Sequence, residues 1–177
     1  MKFWKLYREE KITKEQLRYQ RLKSVLDKLG LSIPDEMIYK LSDEYIQHLS
    51  SYNHLFPNTI EILKYLKPKY NLHIITNGFQ EIQDRKLQKS GIDGFFEYVI
   101  NSETAGVKKP NPKIFQAALD YAEVAATNAI MIGDSLEADI LGAKAVGFQT
   151  LHFNSHKEEL HDFCPIIHDL SEIKTFL

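Results

Sequence analysis

The chain has 177 residues, 44% of them hydrophobic and 26% charged, with a formal net charge of −2 and a single cysteine, Cys164. That is enough apolar material for one domain or a domain with an appendage, and it excludes global disorder, an internal disulfide and a cysteine-based metal cluster. There is no basic field for nucleic acid or anionic lipid, no apolar run near the roughly 20 residues of a membrane span, and no signal-peptide pattern, so a cytoplasmic protein is expected.

From Met1 to about Tyr52 the pattern reads as helical. Phe3, Leu6 and Tyr7 share a face, with Trp4 beside them. Thr13 and Gln16 make a capping box, flanked by Ile12 and Leu17 at the positions of a hydrophobic staple. Leu22, Val25, Leu26 and Leu29 continue that helix until Gly30 stops it. Pro34 and Asp35 open a third helix, with Met37, Ile38, Leu41, Tyr45, Ile46 and Leu49 expected on its inner side.

From about Pro57 helices and strands alternate. A helix carries Ile60, Leu63 and Leu66, and a strand runs from Leu72 to Ile75. A helix from Phe79 to Ser90 ends at Gly91, and Phe96 to Ile100 is a second strand. Pro112 to Ala122 is a helix, Ala129 to Ile132 a strand, Glu137 to Val146 a helix and Phe148 to Phe153 a strand, with Ile166-Ile167 a short last one. This alternation predicts an α/β class: a Rossmann-like parallel sheet with helices on both faces, residues 57–177, preceded by a helical segment, residues 1–56. Ligands of such sheets bind beyond the carboxyl ends of the strands.

Three segments at those ends carry chemistry. Thr76-Asn77-Gly78 joins a strand to a helix; a hydroxyl, an amide and the helix N-terminus form an anion cradle, although a plain capped turn accounts for the same residues. Lys109 precedes Pro110-Asn111-Pro112, which reads as an N-cap and first helical residue and leaves the lysine to meet a phosphate. Asp134 follows Gly133 at a strand end, with Asp139 five residues on; Asp134 and Glu137 also resemble a capping box. Hard oxygen ligands of this kind suit Mg²⁺, which one or two carboxylates and a substrate phosphate hold. The seven histidines show no metal-ligand spacing; His73 reads as structural within a strand, and His152, His156, His161 and His168 as surface or loop residues.

In this order, Thr76-Asn77, Lys109-Pro110 and Gly133-Asp134-Ser135 with Asp139 resemble the second, third and fourth motifs of the haloacid dehalogenase-like hydrolase superfamily. Ile74 to Phe79 and Gly106 to Phe115 are most similar to its pyrimidine 5′-nucleotidase-like branch, and the N-terminal helices resemble that branch's helical cap. The resemblance implies hydrolysis of a small phosphate ester, a nucleotide, through an aspartyl-phosphate. Thr76, Asn77, Gly78 and Lys109 would bind phosphate, Thr76 and Lys109 being catalytic, and Asp134 and Asp139 would hold Mg²⁺. Trp4, Tyr7 and Tyr19 are then candidates to stack on a base, though core packing explains them equally. A dehalogenase fits less well, since those enzymes need no Mg²⁺.

Members of the superfamily begin with a strand ending in Asp-x-Asp-x-Thr, which supplies the nucleophile and lies centrally in the sheet. No such motif occurs here. Three arrangements remain open: a fragment of a longer product, which is the expectation; a relative that only binds nucleotide or phosphate; or a sheet in which the strands ending at Thr76 and Gly133 pair directly. A receiver-type phosphoacceptor domain is disfavoured by the motif order. Oligomeric state has no signature in the sequence.

Overall fold

The structure, a computed structural model, describes residues 2–49 and 51–177; Met1 and Ser50, both in the region read as helical, lie outside the described residues. Backbone packing divides the chain into two units, Met1–Asn53 and His54–Leu177.

The first unit is helical: α1 (Lys2–Arg8), α2 (Lys14–Lys28) and α3 (Asp35–Leu49). The capping box at α2 forms as expected: Gln16 N–H donates to Thr13 Oγ1 at 3.2 Å, and Thr13 N–H donates to Gln16 Oε1 at 2.9 Å. Gly30 follows with φ +69°. The inner side of α3 differs from expectation. Ile38 and Ser42 are buried, while Met37, Leu41 and Tyr45 are exposed. Positions 38 and 42 lie on one i, i+4 row and 37, 41 and 45 on the next, and only the first row is buried, although Tyr45 still lies beside Arg21 of α2.

The second unit opens with α4 (Thr59–Leu66) and then alternates: β1 (His73–Thr76), α5 (Gln80–Ser90), β2 (Tyr98–Asn101), α6 (Pro112–Ala122), β3 (Ile130–Gly133), a π-helical turn (Leu136–Leu141) running into α7 (Gly142–Lys144), β4 (Gln149–Phe153) and β5 (Ile166–Ile167). The first three strands start and end one or two residues later than their apolar runs. Polar and glycine residues still pair at the strand ends, Thr76 opposite Asn101 and Gly133 opposite His152.

All strand pairs are parallel, in two ladders, β1–β2 and β3–β4–β5, the break falling between the strands that end at Thr76 and Gly133, where the resemblance puts the family's central strand. Among the described residues β1 and β3 are not bonded to each other, so direct pairing does not occur. Alternation explains which groups this leaves. Thr76 C=O accepts from Ser102 N–H on the β2 side, so Ile75 points its backbone groups the other way. Ala129 C=O accepts from Gln149 N–H on the β4 side, so Ile130 and Ile132 turn theirs away from β4.

Two apolar clusters cover the strands. Ile114 and Phe115 of α6, both 0% exposed, pack with Ile100 of β2, Met131 of β3 and Phe148, and with Ile75 of β1. One helix thus joins the two ladders, and each fully buried side chain contributes roughly 1.5–3 kcal/mol. Ile62 and Leu66 of α4 pack with Leu151, Phe153, Ile167 and Ile173, and with Ile130 and Ile132. Neighbours along β3 go to opposite clusters, the period of two of a strand covered on both faces. No described helix is long and apolar enough to cross a membrane.

Candidate functional site

The loop after β2 is folded by a buried asparagine. Asn101 Oδ1 accepts from the N–H groups of Glu103 and Thr104, both at 2.9 Å. From there the chain turns through Gly106, at φ +68°, to Lys109, whose peptide bond to Pro110 is cis. Asn111 then caps α6, its side chain accepting from Lys113 N–H at 3.0 Å, with Pro112 in the first turn.

Lys109 is held from three directions. Asn77 clamps its backbone: Lys109 N–H donates to Asn77 Oδ1 at 2.7 Å, and Asn77 Nδ2 donates to Lys109 C=O at 2.9 Å. Its ammonium donates to Ile75 C=O at 2.6 Å, satisfying the carbonyl that β1 turns away from β2. The same Nζ lies 2.7 Å from Asp139 Oδ1, and the two side chains are only 10% and 6% exposed. Asn77 thus commits its acceptor and one donor hydrogen to the backbone of Lys109.

Asp139 is committed on both oxygens. Oδ1 meets Lys109, and Oδ2 accepts from Ser135 N–H at 3.1 Å. The π-helical turn folds it back, with both Asp139 N–H and Ile140 N–H reaching Ser135 C=O. It lies against Gly133 so closely that a Cβ there would come within 2.5 Å of Asp139 Cβ and Oδ2. Asp134 is its opposite: its side chain is 52% exposed, and Oδ2 accepts from His156 Nε2 at 3.0 Å.

Thr76 ends β1, and its Oγ1 accepts from Gly78 N–H at 2.9 Å, a bond that leaves the hydroxyl proton unused. Gly78 does not adopt positive φ, so the turn does not demand a glycine on that ground. What a side chain there would meet is Gln83, whose Nε2 would lie 2.0 Å from the added Cβ. The start of α5 is already served by a carboxylate, Gln80 N–H donating to Glu103 Oε2 at 2.9 Å. The helix terminus read as part of the cradle is thus partly filled from within.

These bonds gather Asn77, Lys109 and Asp139; Thr76 directly precedes Asn77 in the chain, and Asp134 follows the end of β3. Among the described residues no group of three or more histidine, cysteine or acidic side chains is arranged to hold a metal ion. One exposed carboxylate beside one neutralised by lysine fits a hard cation that keeps most of its water and takes other ligands from substrate, as Mg²⁺ does. His152 corrects an expectation: far from the surface, it is 0% exposed and lies 3.3 Å from Asp134 C=O. Sequence spacing gave no signal for His152 or His156, since they lie on or beyond β4, 18 and 22 residues after Asp134.

Residues 3–153 match the family model described as haloacid dehalogenase-like hydrolase, and the chain belongs to that family. It is 32% identical over 157 residues to pyrimidine 5′-nucleotidase YjjG of Escherichia coli strain K12, covering 88% of this chain and 68% of that one. It is 50% identical over 88 residues to glyceraldehyde 3-phosphate phosphatase of Pyrococcus abyssi, covering 50% of this chain and 37% of that one. Among solved structures it resembles the HAD-hydrolase YfnB of Bacillus subtilis bound to magnesium, with a TM-score of 0.86 and 25% identity over 98% of this chain and 76% of that one. The chain thus spans only part of each relative's length.

Proposed function

We propose that this chain carries the phosphate- and cation-binding side of an Mg²⁺-dependent phosphomonoester hydrolase acting on a nucleoside 5′-monophosphate. The observation that carries this reading is the buried Lys109, fixed between the Ile75 carbonyl near the end of β1 and the Asp139 carboxylate of the turn after β3, in a family of hydrolases. The Lys109 ammonium offsets charge on the phosphoryl oxygens, and the Thr76 hydroxyl donates to one of them. Asp134 holds the cation, Asp139 orients Lys109, and Asn77 fixes the lysine's backbone. Bound Mg²⁺ neutralises phosphoryl charge. The helical unit corresponds to the family's cap and selects the substrate.

The nucleotide assignment is supported by the extent of the YjjG match, 88% of the chain, against 50% for the Pyrococcus glyceraldehyde 3-phosphate phosphatase. A match over most of the chain takes in helices of the unit assigned here to substrate selection. The chain holds no Asp-x-Asp pair to supply the aspartyl nucleophile. That favours a second reading for the chain by itself: binding of the nucleotide without turnover.

The test is calorimetric titration with deoxyuridine monophosphate, glyceraldehyde 3-phosphate and phosphoglycolate in Mg²⁺, with phosphate release measured in parallel. Expected is Mg²⁺-dependent binding strongest for the nucleotide, lost on Lys109→Met or Asp134→Asn, with no release. Preference for glyceraldehyde 3-phosphate would overturn the substrate assignment. Release that Asp134→Asn abolishes would show that the chain has a nucleophile of its own.

A further inference from the structure

Asp134 is followed by an unusual run of histidine contacts. His152, on β4 and wholly buried, lies with Nε2 3.3 Å from Asp134 C=O and Nδ1 2.8 Å from His161 Nε2. The two ring planes are within 19° and their centroids 5.0 Å apart. A 2.8 Å nitrogen contact is too short for face-to-face rings, so the imidazoles meet edge to edge, as an N–H···N bond requires. His161 Nδ1 in turn lies 3.3 Å from Phe163 N–H.

The proton positions follow from the two ends. A carbonyl only accepts, so His152 Nε2 carries a hydrogen. A backbone amide only donates, so His161 Nδ1 is bare. Two neutral rings then have one arrangement: His161 Nε2–H donates to His152 Nδ1, and His152 Nε2–H donates to Asp134 C=O. Each ring's tautomer is set by its neighbour, and direction is preserved from Phe163 to Asp134. The loop bringing His161 to this point is itself braced: buried Asn154 donates to Glu158 C=O at 2.9 Å and accepts from Glu158 N–H at 2.8 Å.

We propose that His152 and His161 are positioning residues for Asp134. Their relay pins the peptide from which the exposed carboxylate projects, so the loop after β4 sets where the cation is held. The role resembles that of outer-shell groups that orient metal ligands, whose loss weakens metal affinity roughly 10–100-fold. The inference rests on Asp134 being the cation-binding carboxylate.

Imidazole ¹⁵N NMR of the chain, under conditions where histidine is neutral, should find His152 and His161 both protonated on Nε2. Mn²⁺ titration followed by EPR should show affinity reduced roughly tenfold or more in His161→Phe, which keeps ring packing but removes the donor. His161→Gln, which restores an N–H, should recover most of it. His161 lies on a loop and is only partly buried, so its replacement leaves the core intact. The Asp134 carbonyl ¹³C shift should move in His161→Phe. Either ring protonated on Nδ1, or a His161→Phe variant with unchanged Asp134 shift, overturns the proposal, as does unchanged Mn²⁺ affinity. If the unsubstituted chain binds no Mn²⁺, the reading of Asp134 fails, and the tautomers and carbonyl shift alone decide whether the relay exists.

Discussion

Asp139→Asn tests how the site is built. The substitution keeps shape and volume but removes the negative charge 2.7 Å from Lys109 Nζ. It also turns one of two acceptor oxygens into a donor. With the amide nitrogen toward Ser135, two N–H groups face each other; with it toward Lys109, it faces an ammonium. Neither orientation satisfies both neighbours, and in both the Lys109 ammonium loses the carboxylate charge that offsets its own. Removing one member of a buried pair destabilises by about 3–5 kcal/mol, because the other charge stays buried without compensation. For a chain of this length that lowers the melting temperature by roughly 6–20 °C. Urea unfolding followed by circular dichroism measures it directly. The double variant Lys109→Met/Asp139→Leu removes both charges and should recover most of the loss. A loss below about 1 kcal/mol, the worth of an exposed ion pair, would refute the claim that this pair is desolvated.

Gly133→Ala should destabilise by about 1–3 kcal/mol, since the new Cβ would sit 2.5 Å from Asp139 and force it from Lys109; thermal unfolding reads this, and a neutral result would mean the π-helical turn yields freely. Asn77→Ala should cost a further-reaching loss of about 1–3 kcal/mol, because it leaves the backbone N–H and C=O of Lys109 without partners, and hydrogen exchange at Lys109 should accelerate with it. His73 contributes an acid sensitivity. Burial lowers its pKa below the ordinary 6.5, so the unfolded chain takes up the proton more readily than the folded one. Stability is unaffected above that value and falls as pH drops through 6.5, until His73 is charged in both states. His73→Phe, which keeps a ring against Tyr98, should flatten this part of the stability–pH curve.

Element order and type were legible in the sequence because apolar spacing, Gly91 after α5 and Asn111-Pro112 before α6 are local signals. The α2 capping box was legible for the same reason, since it needs only residues three apart. The register of α3 was not. Its apolar residues fill two adjacent rows, and only packing selects between them. A strand's own residues do not say whether both edges are paired, so the split into two ladders was legible only through the family resemblance, which puts the strand not found in this sequence between those ending at Thr76 and Gly133. At the candidate site, residue types at strand ends and in the loops and turns beyond them singled out Thr76, Lys109, Asp134 and Asp139 as expectations. Their division of labour depended on contacts between segments distant in sequence, such as Asn77 with Lys109, 32 residues apart. The histidines around Asp134 were invisible for the same reason.

The two aspartates show how much placement decides. They are chemically identical and five positions apart, yet Asp139 is 4% exposed and carries Lys109 and Ser135, while the Asp134 side chain is half exposed. The π-helical turn makes the difference by returning the chain onto Gly133, where the missing side chain leaves room for a buried carboxylate. Lys109 and Asp139 cancel in charge, which leaves Asp134 as the exposed carboxylate of the β3 loop whose charge a cation offsets. A divalent cation held there would shift the local balance by two positive charges. Anion binding at Lys109 and Thr76 should therefore depend on the cation even though neither residue touches it, and Asp134→Asn should make inorganic phosphate binding insensitive to Mg²⁺. Phosphate affinity that ignores Mg²⁺ in the unsubstituted chain would show that Asp134 and Lys109 act on separate ligands.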